Sequence, residues 1–285
     1  MARPRIAFLL QRSAPDASPG RRQPSLSDVT EEILGCLLDR GAQLDLLVPE
    51  DEPLEPGLLR VEYDLYVLKA KTPLTLGLAG AVEAMGARVV NTFAACNLTR
   101  DKVATTAVLA AAGVPVPASW VTGRAERLRQ LVQHGPLWLK PPRGSQGVGV
   151  QRLASVGELD AAGTLEVDPF GLPLPLFAQR EVPSAGCDLK VYVVGDQMWA
   201  IARPFPARTL QEKLGTPAHI APPIREAAEA CGQALGLELY GVDVLVAGDQ
   251  FFVVDVNAFP GYKGVPAAAG ATATYLYGQA LAALA

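Results

Sequence analysis

Gly241-Val242-Asp243-Val244-Leu245 and Val253-Val254-Asp255-Val256-Asn257 set three oxygen-bearing residues inside two apolar runs. Ala247-Gly248-Asp249-Gln250 lies between them and reads as a polar turn, so Tyr240 to Val246 and Phe251 to Val256 are expected to form a β-hairpin. Side chains alternate along a strand. Asp255 and Asn257 therefore share a face, and pairing around the turn can bring Asp243 opposite them. Carboxylates among Val, Leu and Phe are costly to bury unless a cation balances them. Two carboxylates and an amide oxygen suit Mg²⁺ or Mn²⁺, and Mg²⁺ commonly completes its shell with water and substrate phosphates. The plainer alternative is a solvent-facing strand edge with chance acids.

Upstream, Lys140-Pro141-Pro142-Arg143-Gly144-Ser145-Gln146-Gly147-Val148-Gly149-Val150 carries a lysine at a strand end and a glycine-rich turn. Glycines let backbone N–H groups approach phosphate oxygens, and Lys140 can supply neutralising charge. The spacing is neither that of a P-loop nor that of a dinucleotide-binding fingerprint, since a strand follows rather than a helix. A simple glycine-rich hairpin is the competing reading. Lys102 follows Thr99-Arg100-Asp101 at the start of a helix, where a lysine is ordinarily just solvated. Gln179-Arg180-Glu181-Val182 closes an apolar strand, and backbone of this kind can meet an adenine edge. Asp188 and Lys190 share a face of the next strand, which fits a site or a cross-strand ion pair equally. Lys69 and Lys71 end a strand of the first lobe, where ligands of parallel α/β sheets sit; solubilising charge is the alternative.

Along the chain, strands are expected at Arg5–Leu10, Gln43–Val48, Asp64–Leu68 and Ala87–Val90, with helices at about 28–40 and 74–85. Strands alternating with helices imply a parallel sheet covered on both faces. Residues 14–24 read as a mobile loop. A helix over Thr99–Ala112 opens a strand-rich segment with strands at Trp120–Thr122, Leu137–Lys140, Leu176–Val182, Leu189–Val194 and Met198–Ala202, and a helix at Ala125–Val132. A helix over Pro222–Leu237, the hairpin, and a closing helix from Ala267 complete the chain. The expected division is a first α/β lobe at 1–95, a central α+β lobe at 96–182, and a third lobe at 183–285 carrying the hairpin.

The 285 residues are 49% hydrophobic, enough for several cores, and carry a net charge of −4. No basic field exists to hold a nucleic acid, so an anionic substrate must meet a local cluster of Lys and Arg. Cys36, Cys96, Cys187 and Cys231 are scattered without a C-x-x-C pair, which fits reduced thiols in the cytosol better than a metal or disulfide framework. Two histidines, His134 and His219, poorly supply a His-based metal site or a Ser-His-Asp triad. No apolar run has the length of a signal segment or membrane span. A cytoplasmic protein acting on a small-molecule or peptide acceptor is expected, without nucleic-acid or membrane partners, and the apolar tail offers an interface for a homo-oligomer.

Read in order from about Val89 to Gly264, these segments resemble the ATP-grasp superfamily. Arg100-Asp101-Lys102 with Leu109 to Pro117 looks like the start of that family's central domain, and the glycine run with Lys140 like its phosphate-covering loop. Gly186-Cys187-Asp188-Leu189-Lys190 with Val193-Val194-Gly195-Asp196 resembles its nucleotide-side strand pair, and Asp243, Asp255 and Asn257 fall where the family holds metal. The resemblance implies a three-lobe fold that uses ATP and Mg²⁺. It puts Lys102 and Lys140 on the phosphates with Gly144, Ser145, Gln146 and Gly147. It puts Gln179, Arg180, Glu181 and Val182 at the adenine, Asp188 near the ribose, and Lys140, Lys190 and Arg203 as catalytic cations. The subfamily it is most similar to is the RimK-type ligases, which join a carboxylate to an amine through an acyl phosphate.

The chain departs from those ligases after Ala200-Ile201-Ala202: where they carry an Arg- and Asn-containing stretch and then a His-Arg-Gly-Gly type run, it has Arg203-Pro204-Phe205-Pro206-Ala207-Arg208, then Lys213 and His219. Val67-Leu68-Lys69, Leu189 to Gly195, and Asp255 to Gly264 look like inositol-polyphosphate kinases of the same superfamily. That second reading implies Lys69, Gly261 and Lys263 at an anionic acceptor. A non-catalytic ATP-binding module is the third.

Overall fold

The computed structural model describes residues 3–11, 26–51, 53–144, 148–161, 175–184, 186–205, 207 and 209–284. The loop expected over 14–24, and Ser145, Gln146 and Gly147, lie outside them. The first segment runs β1 (Arg5–Leu10), α1 (Asp28–Asp39), β2 (Gln43–Leu47), β3 (Leu65–Lys69), α2 (Pro73–Ala84) and β4 (Val89–Val90). Its strands form a parallel sheet in the order β2-β1-β3-β4. The alternation along β1 explains why the sheet is covered twice. Ile6, Phe8 and Leu10 pack on Ile33 and Leu37 of α1, while Ala7 and Leu9 meet Leu76, Ala79 and Val82 of α2.

Next come α3 (Phe93–Thr99), α4 (Lys102–Ala111), β5 (Ser119–Thr122), α5 (Arg129–Gln133), β6 (Leu137–Lys140), β7 (Gln151–Leu153), α6 (Val156–Ala161) and β8 (Leu176–Arg180). The strands make a small antiparallel sheet in the order β5-β8-β6-β7. The last segment holds β9 (Cys187–Val194), β10 (Gln197–Pro204), α7 (Leu210–Leu214), β11 (Thr216–Ala218), α8 (Pro222–Leu235), β12 (Leu239–Ala247), β13 (Gln250–Ala258) and α9 (Ala268–Ala283). Its antiparallel sheet has the order β11-β10-β9-β12-β13. Val191, Val193, Val242, Val244, Val253 and Val256 bury one face under α8. Helix α9 does not stay with this sheet alone: Ala273, Leu276 and Ala280 join the core of β1 and α1.

The expected helix over Thr99–Ala112 is α4, which starts three residues later, at Lys102. Asp101 breaks the run because its carboxylate accepts from the N–H groups of Val103 at 3.0 Å and Ala104 at 3.2 Å, which caps α4 and leaves Lys102 as its first residue. Helix α3 was not expected; Thr92 starts it by accepting from Ala95 N–H at 3.2 Å. The short α6, α7 and β11 were not expected either, being too brief for a periodic pattern.

Asn91 ties the first sheet to the third. It is fully buried; its amide donates to Leu239 O at 2.8 Å, and its oxygen accepts from Glu238 N at 2.8 Å and Leu239 N at 3.0 Å. Asn91→Ala strands these backbone groups without water, so a loss of about 3 kcal/mol is expected in urea unfolding. A change below about 0.5 kcal/mol would show that water replaces the amide.

Candidate functional site

The face of the third sheet turned away from α8 carries the charged residues. Strand pairing sets Asp243 beside Asp255 across β12 and β13, and beside Lys190 across β12 and β9; Arg203 lies beside Asp188 across β10 and β9. The register slips after Asp243, so that Val244 faces Val253. This bulge lets Asp255 and Asn257 share the cleft face while Val253 and Val256 stay in the core.

The side chains form a connected network. Lys190 Nζ is 2.6 Å from Asp243 Oδ1. Arg203 forks onto both oxygens of Asp188 at 2.7 and 2.8 Å and reaches Asp243 Oδ1 at 3.3 Å. The Asn257 amide donates to Asp255 Oδ2 at 3.1 Å and to Asp243 Oδ2 at 3.5 Å. Asp188 and Lys190 are buried. The ion-pair alternative for these two strands is therefore real, but the partners cross: Lys190 serves Asp243, and Asp188 serves Arg203.

The central sheet supplies the opposite wall. Lys140 Nζ donates to Gln179 Oε1 at 2.6 Å, and burial lowers its pKa against the raising influence of Asp255. Lys102 bonds the glycine loop twice, through its backbone N–H to Pro142 O at 2.9 Å and through Nζ to Gly144 O at 3.0 Å. The Gln179–Val182 segment is more committed than its sequence suggests. The Arg180 guanidinium turns away to Leu131 O at 3.0 Å and to Gly135 O. Glu181 N–H donates to Pro136 O at 3.1 Å, and its carboxylate pairs with Arg152 at 2.7 Å.

Beyond the carboxyl ends of β1 and β3 lies a cavity of about 520 Å³, with Lys69, Lys71, Arg100, Lys102, Arg143 and Asp255 in its lining. A second cavity of about 530 Å³ shares Lys71 and Asp255 and is lined by Lys190, Arg203, Gly261 and Lys263. Of the sequence-expected residues, Lys69, Lys102 and Gly144 line the first cavity, and Asp188, Lys190, Arg203, Asp243, Gly261 and Lys263 line the second. Lys71, Asp255 and Asn257 line both, and Lys140, Gln179, Arg180, Glu181 and Val182 line neither. Arg100 and Arg143 were not singled out beforehand. The cue was their position on either side of Asp101 in the paired segments, since Arg143 Nε reaches Asp101 Oδ2 at 3.4 Å.

Lys69 sits 3.9 Å above the Phe259 ring, with Pro260 O at 3.5 Å. Phe259 and Tyr262 both hold positive φ, 40° and 45°, a conformation uncommon for bulky residues, in the segment that carries Lys263. Burial lowers the Lys69 pKa from 10.5 to about 8. Between those values the unfolded chain holds the proton that the folded chain has released, so stability rises with pH there. Below about 8 the folded protein carries the whole cost of the buried charge. Lys69→Met is therefore expected to stabilise at pH 7 by on the order of 2 kcal/mol. The gain should shrink as pH approaches 10.5. Melting curves over this range check it, and a pH-independent gain would contradict the burial argument.

Asp243, Asp255 and Asn257 fit a hard divalent cation by the chemistry of their donors, and Asp255 has the Asn257 amide rather than a cation as its direct partner. Among the described residues no group of three His, Cys, Asp or Glu side chains is placed to hold a metal, so a cation here would need the Asn257 amide oxygen as a third donor. Among the described residues, no helix is long and apolar enough to cross a membrane.

A family model described as the RimK-like ATP-grasp domain matches residues 99–275. The ribosomal protein bS6--L-glutamate ligase of Salmonella paratyphi B (strain ATCC BAA-1250 / SPB7) is 30% identical over 199 residues, 66% of this chain and 65% of that protein. The chain thus spans 65% of the length of that relative. A RimK domain ATP-grasp protein from Sphaerobacter thermophilus DSM 20745 superposes with a TM-score of 0.73 at 20% identity, covering 95% of this chain and 99% of that one. The ATP-grasp ligase PsnB, complexed with minimal precursor, Mg and ADP, gives 0.69 at 20% identity, covering 96% and 97%. The D-cycloserine synthetase DcsG gives 0.69 at 19% identity, covering 96% and 99%. At these identities the structural likeness establishes the fold.

Proposed function

The chain belongs to the RimK-like ATP-grasp family, and from that premise we propose that it is a Mg-ATP-dependent ligase joining a carboxylate to an amine through an acyl phosphate. The observation that carries this reading is the arrangement of the β12–β13 acids opposite Lys102 and Lys140 across one cleft. In the proposed division of labour, segment 1–95 receives the acceptor side of the reaction, and ATP lies between segments 96–182 and 183–285. The acceptor is a peptide or small molecule, in keeping with the protein and precursor-peptide partners that the names of its relatives carry. The free thiols and the use of ATP suit the cytoplasm.

Asp243, Asp255 and Asn257 would hold Mg²⁺, which when bound neutralises phosphate charge and favours in-line transfer. Lys102 and Lys140 bind phosphate oxygens. Backbone of Glu181 and Val182, held by the Pro136 contact, meets the adenine edge. Asp188, with both oxygens on Arg203, acts by aiming that guanidinium rather than by reaching the ribose. A substrate carboxylate oxygen attacks the γ-phosphorus, the bond to the bridging oxygen breaks, and ADP leaves. The amine nitrogen then attacks the acyl carbon and loses a proton as inorganic phosphate departs. Lys190 and Arg203, each fixed by an aspartate, stabilise the negative charge that develops at these centres without moving.

The test uses ATP labelled at the γ-phosphate with candidate carboxylates and amines. The expected result is ADP release that requires both, with all label in inorganic phosphate. Label retained on one hydroxyl acceptor would instead establish a kinase, and nucleotide binding without turnover over a broad substrate set would favour a binding module.

A further inference from the structure

Among the described residues, two cations in the cavity beyond β1 and β3 lack a direct anionic partner. Its lining, among the described residues, holds Lys69, Lys71, Arg100, Lys102 and Arg143 against a single carboxylate, Asp255. Lys102 is engaged by Gly144 O and Arg143 by Asp101. Lys69 rests on the Phe259 ring. Among the described residues, the Lys71 ammonium and the Arg100 guanidinium have neither a hydrogen bond nor an ion pair. Lys71 stands open to solvent at the rim; Asp255 favours its charge, Lys190, Arg100 and Lys102 oppose it, and Arg143 opposes that of Arg100. Like charges gathered in a half-enclosed space cost free energy unless a ligand brings the opposite sign. The Lys71 backbone is also anchored, its N–H donating to Gln11 Oε1 at 2.5 Å across the ends of β3 and β1.

We infer that the acid substrate carries a second anionic group besides the carboxylate that is activated, and that Lys71 and Arg100 hold it at the carboxyl ends of β1 and β3. This rests on the ligase reading and deepens it. The nucleotide phosphates take Lys102 and Lys140 on the glycine-loop side, and the reacting carboxylate lies by Asp255 and Asn257. The cations left over face the first sheet, where ligands of parallel sheets bind. Arg100 offers a planar fork matched to a carboxylate or a phosphate, and Lys71 offers a point charge. A cavity of about 520 Å³ is ample for an acid with two charged ends. Neither residue would contact the reacting atoms; they select and position the substrate.

The experiment titrates propionate, succinate and phosphonopropionate into the full chain saturated with Mg-AMPPNP, by calorimetry. Both dianions are expected to bind at least about tenfold more tightly than propionate. Arg100→Gln and Lys71→Gln are each expected to reduce that advantage to about threefold or less, and Arg100→Lys to retain part of it. Mg-AMPPNP affinity should change less than about threefold in all three variants. Equal binding of propionate and succinate, no binding of either dianion, or an advantage that survives both glutamine variants would overturn the inference. So would an equal loss of Mg-AMPPNP affinity, which would assign these cations to the nucleotide. A wild-type protein that fails to bind Mg-AMPPNP would instead sink the ligase reading itself, and this inference with it. A preference between succinate and phosphonopropionate identifies whether the second group is a carboxylate or a phosphate.

Discussion

Asp255→Ala is expected to lower ATP turnover roughly a thousandfold or more, while circular dichroism and the melting transition remain those of a folded chain. Asp255 lies half-buried at the cleft, and its hydrogen-bond partner is the Asn257 amide rather than a core group. The residues that hold β13 in place, Val253 and Val256, point the other way into the α8 core and are untouched. Loss of the carboxylate removes the oxygen best placed for a cation and leaves Lys71 and Lys140 without the charge that now favours their protonated forms. Asn257→Ala is expected to act in the same direction. Coupled measurement of ADP release checks both, and undiminished turnover in either folded variant would refute the metal assignment.

Asp188→Ala is expected to have the largest effect on stability. Its carboxylate is 4% exposed as a residue and both oxygens are taken by Arg203. Removing it leaves a largely buried guanidinium with only the 3.3 Å contact to Asp243, which Lys190 already occupies at 2.6 Å. Breaking one side of such a pair costs about 3–5 kcal/mol, because the stranded charge stays out of water. Arg203→Met in the same chain removes that charge, so the double variant should recover much of the loss. Urea unfolding of the two single variants and the double completes the cycle. An Asp188→Ala variant within about 0.5 kcal/mol of wild type would mean that Arg203 finds water or another anion, and the network would then lose its claim to rigidity.

The hairpin was the most legible part of the site. Alternation alone placed Asp255 and Asn257 on one face and Asp243 opposite, and the register agrees. The parallel first sheet was legible too, since β1 and β3 are unbroken apolar runs with helices between them. Other features depend on contacts between segments distant in the chain. Asp188 and Lys190 were readable as an ion pair but not with their true partners, which come from β10 and β12. Nor was it legible that the Arg180 side chain turns to carbonyls of the α5 turn, which leaves only the backbone of its segment to face a ligand. Asp101 could be read as polar but not as the cap that starts α4, because a cap is defined by the path of the chain before it.

By itself, then, the sequence determined which strand face the candidate residues occupy, because side-chain alternation and apolar runs are local properties of the backbone. Only the tertiary structure decided what those residues face. It set Lys190 against Asp243 and Arg203 against Asp188, and brought Lys71, Arg100 and Lys102 into one cavity from two different segments. Electrostatic energy depends on distance and burial through space, and neither quantity is written in the spacing along a chain. For the β12–β13 hairpin the difference is concrete: its oxygens were visible at once, but the cations that surround them were not.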